Sequence, residues 1–378
     1  MTKPSPFKIE IAPALLEDLQ LRLQHARWAE TETVTDWRQG VPREYLQSFC
    51  NYWLHDYDMQ RVANRLNQFP QFKILIDDVE VYFLQIKSAA KNATPLLLTH
   101  GWPGSVFEFL KVIRPLTAPE TGPAFDLVIP ALPGYGFSGK PRVTGWGIER
   151  IAKTWNTLMQ ELGYAHYFAQ GGDWGAAVTG EIGRQNLGQC RAIHINMPAA
   201  WPTKESRANP TPQDEAAFKG ARYYRDWDSG YSHQQATRPQ SVAYGLSDSP
   251  IAQAAWILEK FYAWTDCDGH PENVLNRDEL LDNIMLYWLT NSAASSARLY
   301  WQSFGQKIKG EENQIHMPTG CSIFPKEIVP TPREWAEQRY KNIVYWNYLD
   351  KGGHFAAFEQ PELFVSEIHA WFEVVKDC

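Results

Sequence analysis

Apolar residues recur at helical spacing near the start of the chain, at Leu15, Leu16, Leu19 and Leu23. They recur again at Tyr45, Phe49 and Trp53 and, after a break, from Met59 to Leu66. Helices that are apolar on one side and have no strands beside them need another surface to cover. The pattern therefore predicts an arm over residues 1–71 that wraps the main domain. From Phe72 the period shortens. Phe72 to Ile76, an Asp77-Asp78 turn and Val79 to Ile86 read as a β-hairpin. Short continuous apolar runs follow at Leu96 to Thr99, Leu127 to Ile129, Tyr167 to Ala169 and Ile193 to Ile195, each separated by room for a crossover helix. Such runs predict an α/β fold with a mostly parallel sheet covered on both faces.

Between residues 198 and 315 the strand pattern vanishes, Pro, Trp and Tyr become dense, and helical patterns appear at Ile251 to Trp264 and Leu280 to Leu289. This predicts a helical cap inserted between a first part of the core, residues 72–197, and a second part, residues 316–378. Strand patterns resume at Cys321 to Phe324 and Ile343 to Trp346, and an amphipathic helix is expected from Pro361 to about Val375.

Composition narrows the function classes. With 378 residues, 44% of them apolar, the chain can bury a large core, roughly 75% of its unfolded surface. A net charge of −7 without a block of like charges favours neither nucleic acid nor an anionic membrane as partner. Five cysteines without a CxxC pair argue against a disulfide framework and for a reducing, cytoplasmic setting. No stretch reaches the length of a membrane span, and none reads as a signal peptide or anchor. No clustered His/Cys set suggests a metal, and no cofactor is expected.

The segment Gly171-Gly172-Asp173-Trp174-Gly175 follows one strand pattern and precedes a helical one. It has the form of the strand-to-helix elbow of α/β-hydrolases, with aspartate in place of the serine nucleophile. An aspartate that attacks carbon forms an alkyl ester whose carbonyl water can then attack, which suits ring opening or halide displacement. His100-Gly101-Trp102-Pro103-Gly104-Ser105 occupies the place of the loop that donates an oxyanion-hole amide. The amides of Trp102 and Trp174 are the candidate donors, and His100 reads as structural. His354, after Gly352-Gly353 and between the last strand and the final helix, has the placement of the general base. Its orienting acid is Glu327, at the end of the Cys321 to Phe324 strand; Asp350 is the competing carboxylate. The G-x-G-x-x-G pattern from Gly134 to Gly139 lacks the helix that would bind a pyrophosphate, because Lys140-Pro141 follows it.

Taken together, HGWPGS, LPGYGFSG, GGDWG and GGHFAAFEQPE resemble the epoxide hydrolases of the α/β-hydrolase superfamily, in the microsomal-type branch with an N-terminal arm. The resemblance spans nearly the whole chain, including Trp37-Arg38-Gln39-Gly40 and the segment from Gly230 to Pro239. It implies the α/β-hydrolase fold and Asp173 as nucleophile, with His354 as base and Glu327 as its acid. It also implies two cap tyrosines, matched by Tyr231 and Tyr300, that activate the epoxide oxygen; among 17 tyrosines, composition alone does not select them. The expected substrate is a small epoxide, apolar or aryl given the aromatic cap, and the expected product is a vicinal diol. Membrane-bound relatives carry an N-terminal hydrophobic anchor that this sequence lacks, and a homodimer is neither required nor excluded. A haloalkane dehalogenase with the same aspartate, or a non-catalytic ligand-binding member of the superfamily, are the competing readings.

Overall fold

The computed structural model describes residues 3–305 and 310–378. Nine strands form one sheet: β1 (Ser5–Pro6), β2 (Gln71–Ile76), β3 (Val79–Ile86), β4 (Thr94–Thr99), β5 (Phe125–Pro130), β6 (Tyr167–Gly171), β7 (Cys190–Ile195), β8 (Thr319–Ile323) and β9 (Ile343–Tyr348). They lie in the order β1-β2-β3-β5-β4-β6-β7-β8-β9. The hairpin between β2 and β3 closes at Asp77-Asp78, both with positive φ, as a two-residue turn that matches strand twist requires. β1, β2, β3 and β5 pair antiparallel; every pairing from β5 through β9 is parallel. Parallel neighbours need crossovers, supplied by the helices Leu110–Thr117, Ile148–Glu161 and Trp174–Gln185. With helices on both faces, Leu96, Leu97, Leu98, Leu127, Val128 and Ile129 are fully buried.

The sheet order places the site. β4 has β5 on one side and β6 on the other, so the chain reverses its direction of spread there, and crevices open beyond the carboxyl ends of strands at such a point. Thr99 at the end of β4 pairs with Gly171 at the end of β6. The His100–Ser105 loop and the Gly171–Gly175 elbow therefore leave the sheet side by side.

Between β7 and β8 the described chain is helical, including Pro212–Tyr223, a π-helical turn Tyr224–Asp228, Gly230–Thr237, Pro250–Trp264, Arg277–Leu289 and Ala293–Ser303. The N-terminal helices Pro13–Gln24, Arg43–His55 and Arg61–Leu66 bury Leu19, Leu23, Phe49, Trp53 and Leu66. They contact the helices of that segment, and in the turn Trp37–Gln39 between the first two, Trp37 stacks on Tyr262 with centroids 4.2 Å apart. The buried Asp282 receives Tyr57 Oη at 2.8 Å, and Arg61 and Arg65 at 3.0 and 2.8 Å.

Candidate active site

The strand β6 ends at Gly171 and the helix Trp174–Gln185 begins three residues later, so the chain turns within Gly172 and Asp173. Asp173 pays for that turn with φ 51° and ψ −127°, a conformation rarely adopted by residues with a side chain. The flanking glycines are required by contact. A Cβ on Gly171 would fall on the Gly175 carbonyl, and one on Gly175 would fall on the Thr99 carbonyl of the neighbouring strand. The bend lifts the Asp173 carboxylate toward the loop after β4. There the Trp102 N–H donates to Asp173 Oδ1 at 2.8 Å. Gly101 leaves the room for this, since a Cβ there would strike the same oxygen. The amide of Trp174 opens the helix directly after Asp173, among the N–H groups that a helix leaves without internal partners.

His354 reaches the carboxylate from the other side of the crevice. Its Nε2 lies 3.3 Å from Asp173 Oδ2, and its Nδ1 lies 2.6 Å from Glu327 Oε1. Because Glu327 accepts at Nδ1, that nitrogen carries the proton and Nε2 faces Asp173. The loops bearing these residues are tied together by the Lys326–Gly353 bridge, where the Lys326 N–H donates to the Gly352 carbonyl at 3.1 Å. Gly352 adopts φ 99° at the turn. Burial alone would lower the His354 pKa, but the charges of Glu327 and Asp173 outweigh it and hold the imidazole well above its usual value. Asp350, the competing acid, is exposed.

Tyr231 projects from Gly230–Thr237 and Tyr300 from Ala293–Ser303; their rings meet edge to face with centroids 5.7 Å apart. The Trp102 ring stacks on Tyr231 at 4.8 Å and meets Tyr300 edge-on at 5.8 Å. Burial holds both phenols protonated well above their ordinary pKa, with Tyr224 and Asp173 adding to it at Tyr231, and Tyr231 and Asp173 at Tyr300. The two tyrosines, Asp173 and Trp174 line one cavity of about 410 Å³, whose other walls include Met197, Trp201, Tyr224, Phe304, Ile328 and Trp335. All seven residues singled out from the sequence thus converge on one crevice.

Three contributors escaped the sequence reading. Glu359 accepts the Phe355 N–H at 2.9 Å and the Asp266 N–H at 2.8 Å, clamping the His354 loop to the end of Pro250–Trp264. It lies within GGHFAAFEQPE, but nothing in a single carboxylate marks two amide partners. The buried Lys260 pairs with Asp228 at 2.7 Å and lies 4.7 Å over the Tyr231 ring. Asp228 also accepts from Trp264 Nε1 at 2.5 Å. Elsewhere the G-x-G-x-x-G segment forms a turn in which the Gly134 N–H donates to the Gly139 carbonyl at 2.9 Å, and the next helix begins at Ile148. His100 is buried between the Gly101 carbonyl and the Leu132 N–H. Among the described residues no three His, Cys, Asp or Glu gather into a set that could hold a metal ion, and no helix is long and apolar enough to cross a membrane.

Comparison with known proteins agrees with this geometry. Residues 4–109 match the family model described as the epoxide hydrolase N terminus, and residues 94–217 match that of the alpha/beta hydrolase fold. A chain with a provisional epoxide hydrolase name from Stigmatella aurantiaca is 48% identical, covering 98% of this chain and 85% of that one. Epoxide hydrolase 1 of Oryctolagus cuniculus is 34% identical over 96% of this chain and 87% of its own. The solved Aspergillus niger epoxide hydrolase superposes with a TM-score of 0.90 at 33% identity, covering 99% of this chain and 97% of that one. Fold, site and relatives converge: the chain belongs to the epoxide hydrolases built on the α/β-hydrolase fold, in the microsomal-type branch with an N-terminal arm.

Proposed function

We propose that Asp173 is the nucleophile of a two-step hydrolysis that converts an epoxide to a vicinal diol. Asp173 Oδ2 attacks an epoxide carbon, the C–O bond of the ring breaks, and the departing oxygen takes a proton from one of the two phenols, Tyr231 or Tyr300. Phenols suit this role because they donate without being ionised at neutral pH, and burial holds these two above their ordinary value near 10. Oδ1, held by the Trp102 N–H, remains as the carbonyl of the new ester. His354, steadied by Glu327, first returns its proton to the phenolate and then, as the neutral base, takes a proton from water as that water attacks Asp173 Cγ. The negative charge on Oδ1 is met by the Trp102 and Trp174 amides. Collapse breaks the bond between Cγ and the alkyl oxygen, which recovers the proton from His354 and leaves as diol. Each oxyanion donor of this kind is worth about 100- to 1000-fold.

The observation that carries this reading is the double approach to one carboxylate, the Trp102 amide on Oδ1 and His354 Nε2 beside Oδ2. The apolar character of the cavity walls, Met197, Trp201, Phe304, Ile328 and Trp335, supports an apolar or aryl substituent on the epoxide. Free thiols at all five cysteines support a reducing, cytoplasmic setting. The test is His354→Gln. After addition of epoxide the variant should gain a mass equal to the substrate, mapped to the peptide holding Asp173. Protein that binds epoxide yet stays unmodified speaks against covalent catalysis.

A further inference from the structure

Lys260 lies on the helix Pro250–Trp264 and is only 2% exposed. Its ammonium donates to Asp228 Oδ1 and to Glu259 Oε1, each at 2.7 Å. It also lies over two aromatic rings, 4.7 Å from the centroid of Tyr231 and 5.5 Å from that of Trp264. Asp228 is pinned in turn, because its Oδ2 accepts from Trp264 Nε1 at 2.5 Å. A buried ion pair is often no more stabilising than apolar groups of similar volume, so a lysine sealed against Tyr231 calls for a reason other than stability.

Tyr300 has different neighbours. Its ring meets those of Trp102, Trp174 and Phe304 as well as Tyr231. Among the described residues no ammonium or guanidinium lies over it. While both phenols are neutral this difference matters little. A phenol that has lost its proton carries a full negative charge in a cavity of mostly apolar walls, where a nearby cation acts far more strongly than in water. Burial raises the pKa of both phenols, and Asp173 adds to the rise at each. Asp173 gives up its charge as the ester forms, whereas Lys260 retains its own.

We propose that Lys260 is a positioning residue that makes Tyr231 the proton donor of ring opening and leaves Tyr300 to hold the epoxide oxygen by a hydrogen bond. As the C–O bond of the ring breaks, so does the O–H bond of Tyr231. The proton passes to the departing oxygen, the electron pair stays on Tyr231 Oη, and Lys260 keeps its three protons. His354 later returns a proton to that phenolate. This inference rests on the roles given above to Asp173 and the two phenols.

Lys260→Met keeps the apolar stem and removes the charge. Its kcat/KM for propylene oxide should fall about 10- to 30-fold, the scale of a desolvated cation–π contact. In a Tyr231→Phe background the same substitution should cost less than about threefold, and in a Tyr300→Phe background the full factor. For trifluoropropylene oxide, whose departing oxygen is a weaker base and needs its proton less, the loss should shrink to within about threefold. A displaced helix would instead slow both epoxides alike. Because Lys260→Met leaves Asp228 buried without its cation, the double variant Lys260→Met with Asp228→Asn serves as a second reading and should show the same loss. Wild-type rates in that double variant, equal losses for the two epoxides, or the full loss in the absence of Tyr231 would overturn the proposal. The His354→Gln adduct judges the underlying reading separately, since an ester on a peptide without Asp173 would overturn that reading.

Discussion

His354 Nε2 stands 3.3 Å from Asp173 Oδ2 while its Nδ1 stands 2.6 Å from Glu327 Oε1, so one imidazole is shared by two carboxylates. The arrangement couples the two chemical steps. In the resting enzyme both charges favour the imidazolium, which cannot act as a base. Esterification removes the charge of Asp173, the imidazole pKa falls, and its proton can restore the phenol that protonated the substrate oxygen. The base is thus armed by the step that precedes its use. Asp173→Asn mimics the neutral ester, and the His354 imidazole, followed by NMR, should titrate at lower pH than in the wild type. An unchanged titration would mean that Asp173 exerts no control.

In the proposed mechanism the two phenols share one task from two helices. Tyr231→Phe and Tyr300→Phe should each lower kcat/KM while leaving a measurable rate, and the double variant should lose about 10²- to 10⁴-fold, the range of a general acid. Diol formation assayed over a panel of aryl and aliphatic epoxides checks this. A double variant that still opens epoxides at the wild-type rate would remove the tyrosines from the mechanism. Halide release from a haloalkane by that variant would favour displacement chemistry.

Neighbouring glycines of the elbow should respond very unequally to the same methyl group. A Cβ on Gly171 meets backbone, the Gly175 carbonyl, which cannot yield without moving the helix. Gly172 has a negative φ and only Asn196 Oδ1, at 3.9 Å, near such a Cβ. Gly171→Ala should cost several kcal/mol, about the 1–3 of overpacking or more. Gly172→Ala should lie within about 1 kcal/mol of the wild type. Urea unfolding of the two variants decides it; equal midpoints would contradict the contact argument.

Acid should destabilise the fold through two buried histidines. Burial lowers His194 to about 3 and His100 to about 4. Each is then less protonated folded than unfolded between its own value and about 6.5, so stability is lost as pH falls through that window. At about 1.4 kcal/mol per unit, the loss is on the order of 3 kcal/mol for His100. His194 Nε2 donates to Ser322 Oγ at 2.9 Å, and Ser322 donates onward to Glu367. His194→Gln should therefore be less stable at pH 7 but lose less between pH 7 and 4, as thermal unfolding across that range can show. An acid limb as steep as the wild type's would exclude His194 as a contributor.

Much of this was legible because the central strands carry uninterrupted apolar runs that only a doubly covered sheet requires. Leu96 to Thr99 and Tyr167 to Ala169 fall within β4 and β6, and the residues after them follow from what an elbow must contain. Glu327 could be preferred over Asp350 because it ends a strand. β1 was missed since Ser5–Pro6 is a two-residue pairing with no periodicity. Several short helices before Pro250 were missed because Pro202, Pro210, Pro212 and Pro239 break the amphipathic pattern. Tyr231 and Tyr300 required the family resemblance, since what distinguishes them is that two helices bring their rings together over Asp173. Glu359 and Lys260 act through partners distant in the chain, so no local signal marks them.

The long excursion of the chain between β7 and β8 also orders events in time. During synthesis the bend that carries Asp173 and both cap phenols leave the ribosome before Glu327 and His354 exist. On the proposed mechanism, a chain halted at that stage would own the parts for capturing an epoxide but none for releasing it. Turnover, as distinct from capture, is the last property that translation confers.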